Sequence, residues 1–258
     1  MTGSMPRIVT LTTDFGTGSG YVAEMKGRLL HSKTPLTLID IAHDVPAHDV
    51  RAAAWLVGQA CPAFPTDTFH LVVVDPGVGT SRRLIWARIG TQQFIAPDNG
   101  VLSWAVTKAS LADARVLTPP PNIAATFHGR DAIAPLAMQI IDGASPESLG
   151  PPAEQLVSLD WPQPKETATG VVGQVIHVDT FGNLITNLPA SLQPRLERAG
   201  WIRVGANEIA TIVRTYGEAP RDTPVALVGS QGFLEIAVVE GRADTRLAAG
   251  LGTAVQLP

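Results

Sequence analysis

The 258-residue chain is poor in several residue types, and each scarcity narrows what it can be. It has one cysteine, Cys61, so it can form no intrachain disulfide and no cysteine-rich zinc site. A lone thiol suits a reducing, cytoplasmic compartment. Charge is sparse, with 16% Asp, Glu, Lys and Arg and a formal net charge of −4. No basic block and no basic-aromatic interleaving occurs, so nucleic acid is not an expected partner. No apolar run is long enough to cross a bilayer. The opening Met1-Thr-Gly-Ser-Met5-Pro-Arg, in which Met5 is an alternative start, lacks the apolar centre of a signal peptide. A cytoplasmic protein without membrane association is expected. Internal repeats and low-complexity tracts are missing as well.

What the chain does have is 45% hydrophobic side chains, 24 glycines and 21 prolines, enough for a large core cut by many turns. Strand patterns fall at Arg7–Thr13, Leu36–Ala42 and Thr68–Val74, followed by a hairpin-like pair at Leu84–Ile89 and Gln93–Ala96, and a strand at Arg115–Leu117. Helical spacing places Val22, Met25, Leu29 and Leu30 near one face. Further helices are expected over Asp49–Ala60, capped by Asp49, just after Asp98-Asn-Gly100, and over Arg130–Ile141, with Asp131 as N-cap. Alternating strands and helices predict an N-terminal α/β domain, residues 6–150, around a mostly parallel sheet. Residues 151–169 are proline-rich and read as a linker. Beyond Gly170 only short strands are expected, at 171–178, 184–187, 202–204, 209–213, 225–228, 233–238 and 254–257. This second part, residues 170–258, is read as a smaller all-β, barrel-like domain.

Polar residues gather at the ends of these strands, where ligands collect in open α/β sheets. Val72-Val-Val-Asp75-Pro-Gly-Val-Gly-Thr80-Ser-Arg82 carries a buried strand to an acid, and an arginine returns seven residues later. His128 stands before a helix, next to Gly129. Asp14 opens the glycine loop Asp14-Phe-Gly-Thr-Gly-Ser-Gly20, whose spacing is not that of a dinucleotide fold. An acid there suits a ribose diol, accepting two hydroxyl donors, although it could simply cap the next helix. His43-Asp44 and His48-Asp49 suggest a metal, but Pro46 interrupts any helix that would align them, so a capped loop is favoured. Asp179-Thr-Phe-Gly-Asn183 and Gly229-Ser230-Gln231-Gly-Phe-Leu-Glu235 place polar groups at glycine turns. Asn183 has the carbonyl and amide needed to read an adenine edge, and turn chemistry explains it equally well.

Six stretches, D-F-G-x(4)-Y from Asp14, D-P-G-V-G-T-x-R-R from Asp75, P-D-N-G from Pro97, F-H-G-R-D from Phe127, D-x-F-G-N from Asp179 and G-S-x-x-x-x-E from Gly229, occur in one order over nearly the whole chain. Together they resemble the S-adenosyl-L-methionine (SAM) hydrolases that form adenosine, the SAM hydroxide adenosyltransferases, which are related to fluorinating and chlorinating SAM enzymes. The resemblance implies an N-terminal α/β domain, a C-terminal β-barrel, and a homotrimer with its sites between domains of neighbouring subunits. It implies that Asp75, Arg82 and His128 activate water. Asp14 would hold the ribose hydroxyls, Asn183 and the Glu235–Val238 backbone the adenine, and Ser230 with Asp179 the methionine end. Gln231 stands where halogenating relatives carry a cation.

The chemistry of the implied substrate agrees with these residues. A sulfonium at C5′ leaves as a neutral thioether, so the reaction needs no general acid, no metal and no cofactor. It needs a water oriented behind the C–S bond. Beside Arg82, Asp75 is expected to be a weak base, so the triad mainly orients water and stabilises developing hydroxide. A halide would be repelled by Asp75, and by the family pattern the halogenating relatives lack this acid. Hydrolysis of SAM to adenosine and L-methionine is the expected function. The alternatives are a SAM- or nucleoside-sensing module with negligible turnover, a halogenase and, more remotely, a dinucleotide-dependent enzyme.

Overall fold

The computed structural model describes residues 5–258. The leading Met1–Ser4, part of the opening weighed above as a signal-peptide region, lies outside the described residues. The chain divides into two compact units, with the boundary between Leu159 and Asp160.

The first unit runs β1 (Arg7–Thr13), α1 (Tyr21–Leu29), β2 (Leu36–Ala42), α2 (Val50–Ala60), β3 (Phe69–Val73), β4 (Leu84–Ile89), β5 (Gln92–Pro97), α3 (Ser103–Lys108), β6 (Leu111–Leu117) and α4 (Ala134–Ile141). Its sheet has the order β2-β1-β3-β5-β4-β6. β1 pairs in parallel with β2 and β3, and β3 with β5, while β4 runs antiparallel to both β5 and β6. Strand β4 alone opposes the rest.

The apolar run Leu71–Val74, which carries β3 to its end, has a packing reason. Leu71 and Val73 join the cluster holding Met25, Leu29, Ile133 and Ala137, on the α1 and α4 face. Val72 and Val74 join the cluster holding Ala53, Val57, Leu102 and Ala105, on the α2 and α3 face. A strand covered on both faces favours apolar side chains at successive positions, and the one polar side chain within β3, His70, is buried against Thr10 and Gln92.

Three local features differ from the sequence expectation. Leu30 does not share the buried face of α1; it is 68% exposed, and Met25 and Leu29 carry the packing. The last strand of this sheet starts at Leu111 rather than Arg115. Asp131 is no N-cap, because the chain enters α4 through a π-turn over Gly129–Ile133 whose preceding residue is His128. Its carboxylate instead grips Arg130 at 2.6 and 2.8 Å and accepts the Ala124 N–H. Asp49, by contrast, caps α2 as expected, accepting the Ala52 N–H at 2.8 Å.

The proline-rich segment is shared between the units. Pro152 bridges to Arg115 on β6, and Ala153 and Leu156 pack on the α2/α3 face. Further on, Lys165–Thr167 forms β7.

The second unit continues with β8 (Gly170–Val178), β9 (Leu184–Pro189), α5 (Gln193–Ala199), β10 (Ile202–Val204), β11 (Asn207–Ile209), β12 (Pro224–Val228), β13 (Phe233–Val238), α6 (Ala243–Arg246) and β14 (Ala254–Leu257). The strands order as β11-β10-β14-β8-β9-β13-β12, with β7 beside β8, and every ladder is antiparallel. The strand expected over 209–213 stops at Ile209. Ile212 then makes a single parallel bridge to Ala226, which brings the chain after β11 against β12 and nearly closes the sheet on itself. Short helix α5 was not expected, yet it carries Pro in its first turn and left-handed Gly200 at its end (φ 73°).

Candidate active site

Strands β1 and β3 are in register with Thr13 opposite Val73, so Asp14 and Asp75 leave the same end of the sheet on neighbouring strands. The turn 75–80 then folds back. Gly79 takes φ +78°, and a Cβ there would lie 2.6 Å from the Ala125 carbonyl oxygen. Arg82 is thereby returned to Asp75. Its Nε donates to Asp75 Oδ2 at 2.8 Å and its Nη2 to the same oxygen at 2.5 Å. The same Nη2 lies 2.8 Å from His128 Nδ1. His128 reaches this position because Gly129 lets its segment close on the end of β3. A Cβ at Gly129 would stand 2.9 Å from Met25 Sδ and 3.4 Å from Val73 Cγ1.

The set is enclosed, with side-chain exposures of 4% for Asp75 and 10% for Arg82. Burial, then the charge of Arg82, lowers the pKa of His128 below its usual value, against the opposing charges of Asp75 and Asp131. A guanidinium only donates, so Nδ1 accepts and Nε2 carries the proton. Asp75 Oδ1 is buried and meets no hydrogen-bond donor among the described residues. The ensemble is one free acceptor, one imidazole N–H and one fixed cation, which suits holding a small, partly ionised oxygen nucleophile.

Asp14 sits beside this set on the next strand end. Its Oδ2 accepts the backbone N–H of His48 at 2.9 Å, and His48 is left-handed at φ 66°. The His43–His48 loop therefore supports Asp14, while its two imidazoles diverge. His43 is buried with Nδ1 2.9 Å from Thr13 Oγ1 and Nε2 3.0 Å from Asp40, whereas the side chain of His48 is exposed.

In the second unit a cavity of about 640 Å³ gathers all five residues singled out there: Asp179, Asn183, Ser230, Glu235 and Val238. The Asp179 carboxylate is occupied by its own turn. Oδ1 accepts the N–H groups of Phe181 and Asn183 at 2.9 and 2.8 Å, and Oδ2 accepts the Asn183 side-chain amide at 3.1 Å. It thus orients Asn183. Glu235 lies within the β13 ladder, flanked by Leu227 and Ile185, and reaches the cavity with its side chain. β9 follows β13 only to Leu184 opposite Ile236, so Ala237 and Val238 run past that ladder and keep their pairing with β12 alone.

Several lining residues escaped sequence reasoning. Tyr216, from the irregular link between β11 and β12, donates to Glu235 Oε1 at 2.6 Å. Burial and then the negative charge of Asp179 raise the Glu235 pKa, against the Tyr216 bond. Phe181 is 74% exposed at the cavity, and Arg242 lies on its rim, bound to Asp244 and to the Thr180 carbonyl. The available signal was scarcity, since Tyr216 is one of only two tyrosines.

An α/β unit with an Asp-Arg-His set at its strand ends, followed by a barrel unit with a polar cavity, defines a two-domain class. Residues 9–150 match the SAM hydroxide adenosyltransferase N-terminal domain and residues 173–256 the C-terminal domain of the same name. The chain belongs to the SAM hydroxide adenosyltransferase family. It is 38% identical to the (R)-S-adenosyl-L-methionine hydrolase of Thermus thermophilus, over 97% of this chain and 99% of that one. The hydrolase of the same name from Methanocaldococcus jannaschii is 32% identical, covering 89% and 87%. A fluorinase of Actinoplanes is 26% identical, covering 89% and 90%. In structure, an uncharacterized conserved protein from Thermotoga maritima superposes with TM-score 0.89 at 34% identity, over 97% of this chain and 99% of that one.

Proposed function

We propose that the protein hydrolyses SAM to adenosine and L-methionine by in-line attack of water on the ribose C5′. The observation that carries this reading is the unpartnered Asp75 Oδ1 beside an oxygen already clamped by Arg82, with a neutral His128 completing the set. Water donates one hydrogen to Asp75 Oδ1 and accepts from the imidazole Nε2–H, which aims a lone pair at carbon. As the C5′–O bond forms, the C–S pair returns to sulfur and methionine leaves as a neutral thioether. The attacking water loses one proton to solvent by way of Asp75, so charge balances. Asp14 binds the ribose hydroxyls, and Asn183 with the open end of β13 reads the adenine. Ser230 and the Asp179 turn hold the methionine end. Because curated relatives carry the (R)-sulfonium name, the same epimer is the proposed substrate here.

The assembly in this reading is a cytoplasmic homotrimer. The N-terminal unit of one subunit meets the C-terminal unit of a neighbour to complete each site. The buried, unbridged Cys61 suits that compartment.

Incubation with each sulfonium epimer of SAM in oxygen-18 water, with chloride present, tests the reaction. Label is expected in the 5′-hydroxyl of adenosine. Unlabelled adenosine, or a chlorinated nucleoside, would sink the proposal.

A further inference from the structure

We infer that the dipeptide Asp98-Asn99, at the end of β5, is a positioning device that fixes both chain segments bearing the Asp75–Arg82 pair. The inference rests on the hydrolase reading and assigns it two positioning residues beyond the triad.

Asp75 lies just past the paired part of β3. The ladder with β1 ends at Thr13 opposite Val73, and that with β5 at Ile95 opposite Leu71. Val74 is fully buried, so its carbonyl needs a partner that the ladders do not supply. Asn99 supplies it, donating from Nδ2 to the Val74 oxygen at 2.9 Å. The other end of the same amide is also held, because Oδ1 accepts the Val101 N–H at 3.1 Å. A side chain tied at both ends cannot swing, so the peptide preceding Asp75 is fixed from β5.

Asp98 does the same for the second segment. Its N–H donates to the Arg83 carbonyl at 2.9 Å, and its carboxylate pairs with the Arg83 guanidinium. The other carboxylate oxygen accepts the Val157 N–H at 2.8 Å, and Arg83 reaches on to the Gln155 carbonyl at 2.7 Å. Asp98 is 1% exposed, so this pair is shielded from water on the acid's side. Arg83 is thus held through backbone and side chain, and Arg82 is its neighbour in the chain. Adjacent residues of one turn therefore set where the acid and the arginine meet. Misplacing a reacting group by about 1 Å can cost on the order of 100-fold in rate.

The test compares Asn99→Ala and Asn99→Asp with the parent enzyme. The aspartate keeps the acceptor for Val101 but puts an oxygen where the donor to Val74 was. Both variants are expected to lose about 10- to 100-fold in kcat, with KM for SAM within about twofold, and crystal structures should show Asp75 displaced from Arg82. A purely structural role would lower the yield and melting temperature and leave kcat per folded molecule unchanged. Should Asn99→Ala not fold, Asn99→Asp decides. Wild-type turnover in the folded variants, or a lost rate with Asp75 unmoved, overturns the inference. If the parent enzyme forms no adenosine, the hydrolase reading is what fails, and the position of Asp75 in the variant crystals still decides this one.

Discussion

A guanidinium has five donors and no acceptor, so its contact with His128 Nδ1 dictates the imidazole tautomer and hence which proton faces outward. Two consequences follow at the scale of single residues. Lysine at position 82 would keep the charge but could not serve Asp75 through two nitrogens while meeting His128. Arg82→Lys is expected to lower kcat by about 100- to 1,000-fold while leaving SAM affinity nearly unchanged, as read by single-turnover rates against calorimetric binding. The second consequence concerns pH. Burial and the Arg82 charge lower the His128 pKa, so the ring stays neutral to below its ordinary value of 6.5. Once protonated it loses its Nδ1 acceptor and opposes Arg82. Activity is therefore expected to fall on the acid side with a midpoint under 6.5, and His128→Asn should erase that acid limb. An unchanged limb in the variant would assign it to another group.

Strand β3 delivers the acid, and it also holds a buried base. His70 is 1% exposed, with Thr10 Oγ1 2.7 Å from Nδ1 and Gln92 Oε1 3.3 Å from Nε2, stacked on Phe94. Burial pulls its pKa down to about 4 from 6.5, outweighing the Gln92 bond. The unfolded chain therefore binds this proton first. Stability from the neutral ring is complete above 6.5 and is lost as pH falls toward 4. By about pH 5 the loss is about 2 kcal/mol, which urea midpoints at pH 7 and pH 5 would register. His70→Gln, whatever its own cost, should flatten that difference.

β3 was legible in the sequence because both faces of the sheet demand apolar side chains, which leaves a run with a definite end. The position of Asp75 was legible for the same reason, since it directly follows the run. Tyr216 was not, since it hangs from an irregular link and meets Glu235 only through the fold. Nor was the role of Asn99, because an Asn in a turn looks the same whether it caps its own turn or holds a carbonyl 25 residues away. The over-long strand at 209–213 is instructive too. Ile209 ends the β11 ladder opposite Ile202, and beyond it Ile212 is met by a single bridge to Ala226 instead of a ladder.

At the scale of the whole molecule, the acid-Arg-His set and the polar cavity lie in different compact units, each with its own core. In the proposed trimer each site takes its triad from one subunit and its cavity from the next, so the two halves need not be intact in the same chain. Asp75→Ala alone and Asn183→Ala alone should each be nearly inactive, the first for want of an oriented water and the second for want of adenine recognition. Co-expressed in equal amounts, they assemble at random. A site is whole when its N-terminal half comes from the Asn183 variant and its C-terminal half from the Asp75 variant. Both conditions hold in about one quarter of the sites of a closed cyclic assembly, so about a quarter of the parent activity should return. Sites completed within one chain would never combine two intact halves, and the mixture would stay as inactive as its parts. Light scattering on the same preparation gives the subunit number, and a monomer with restored activity is not possible under either arrangement.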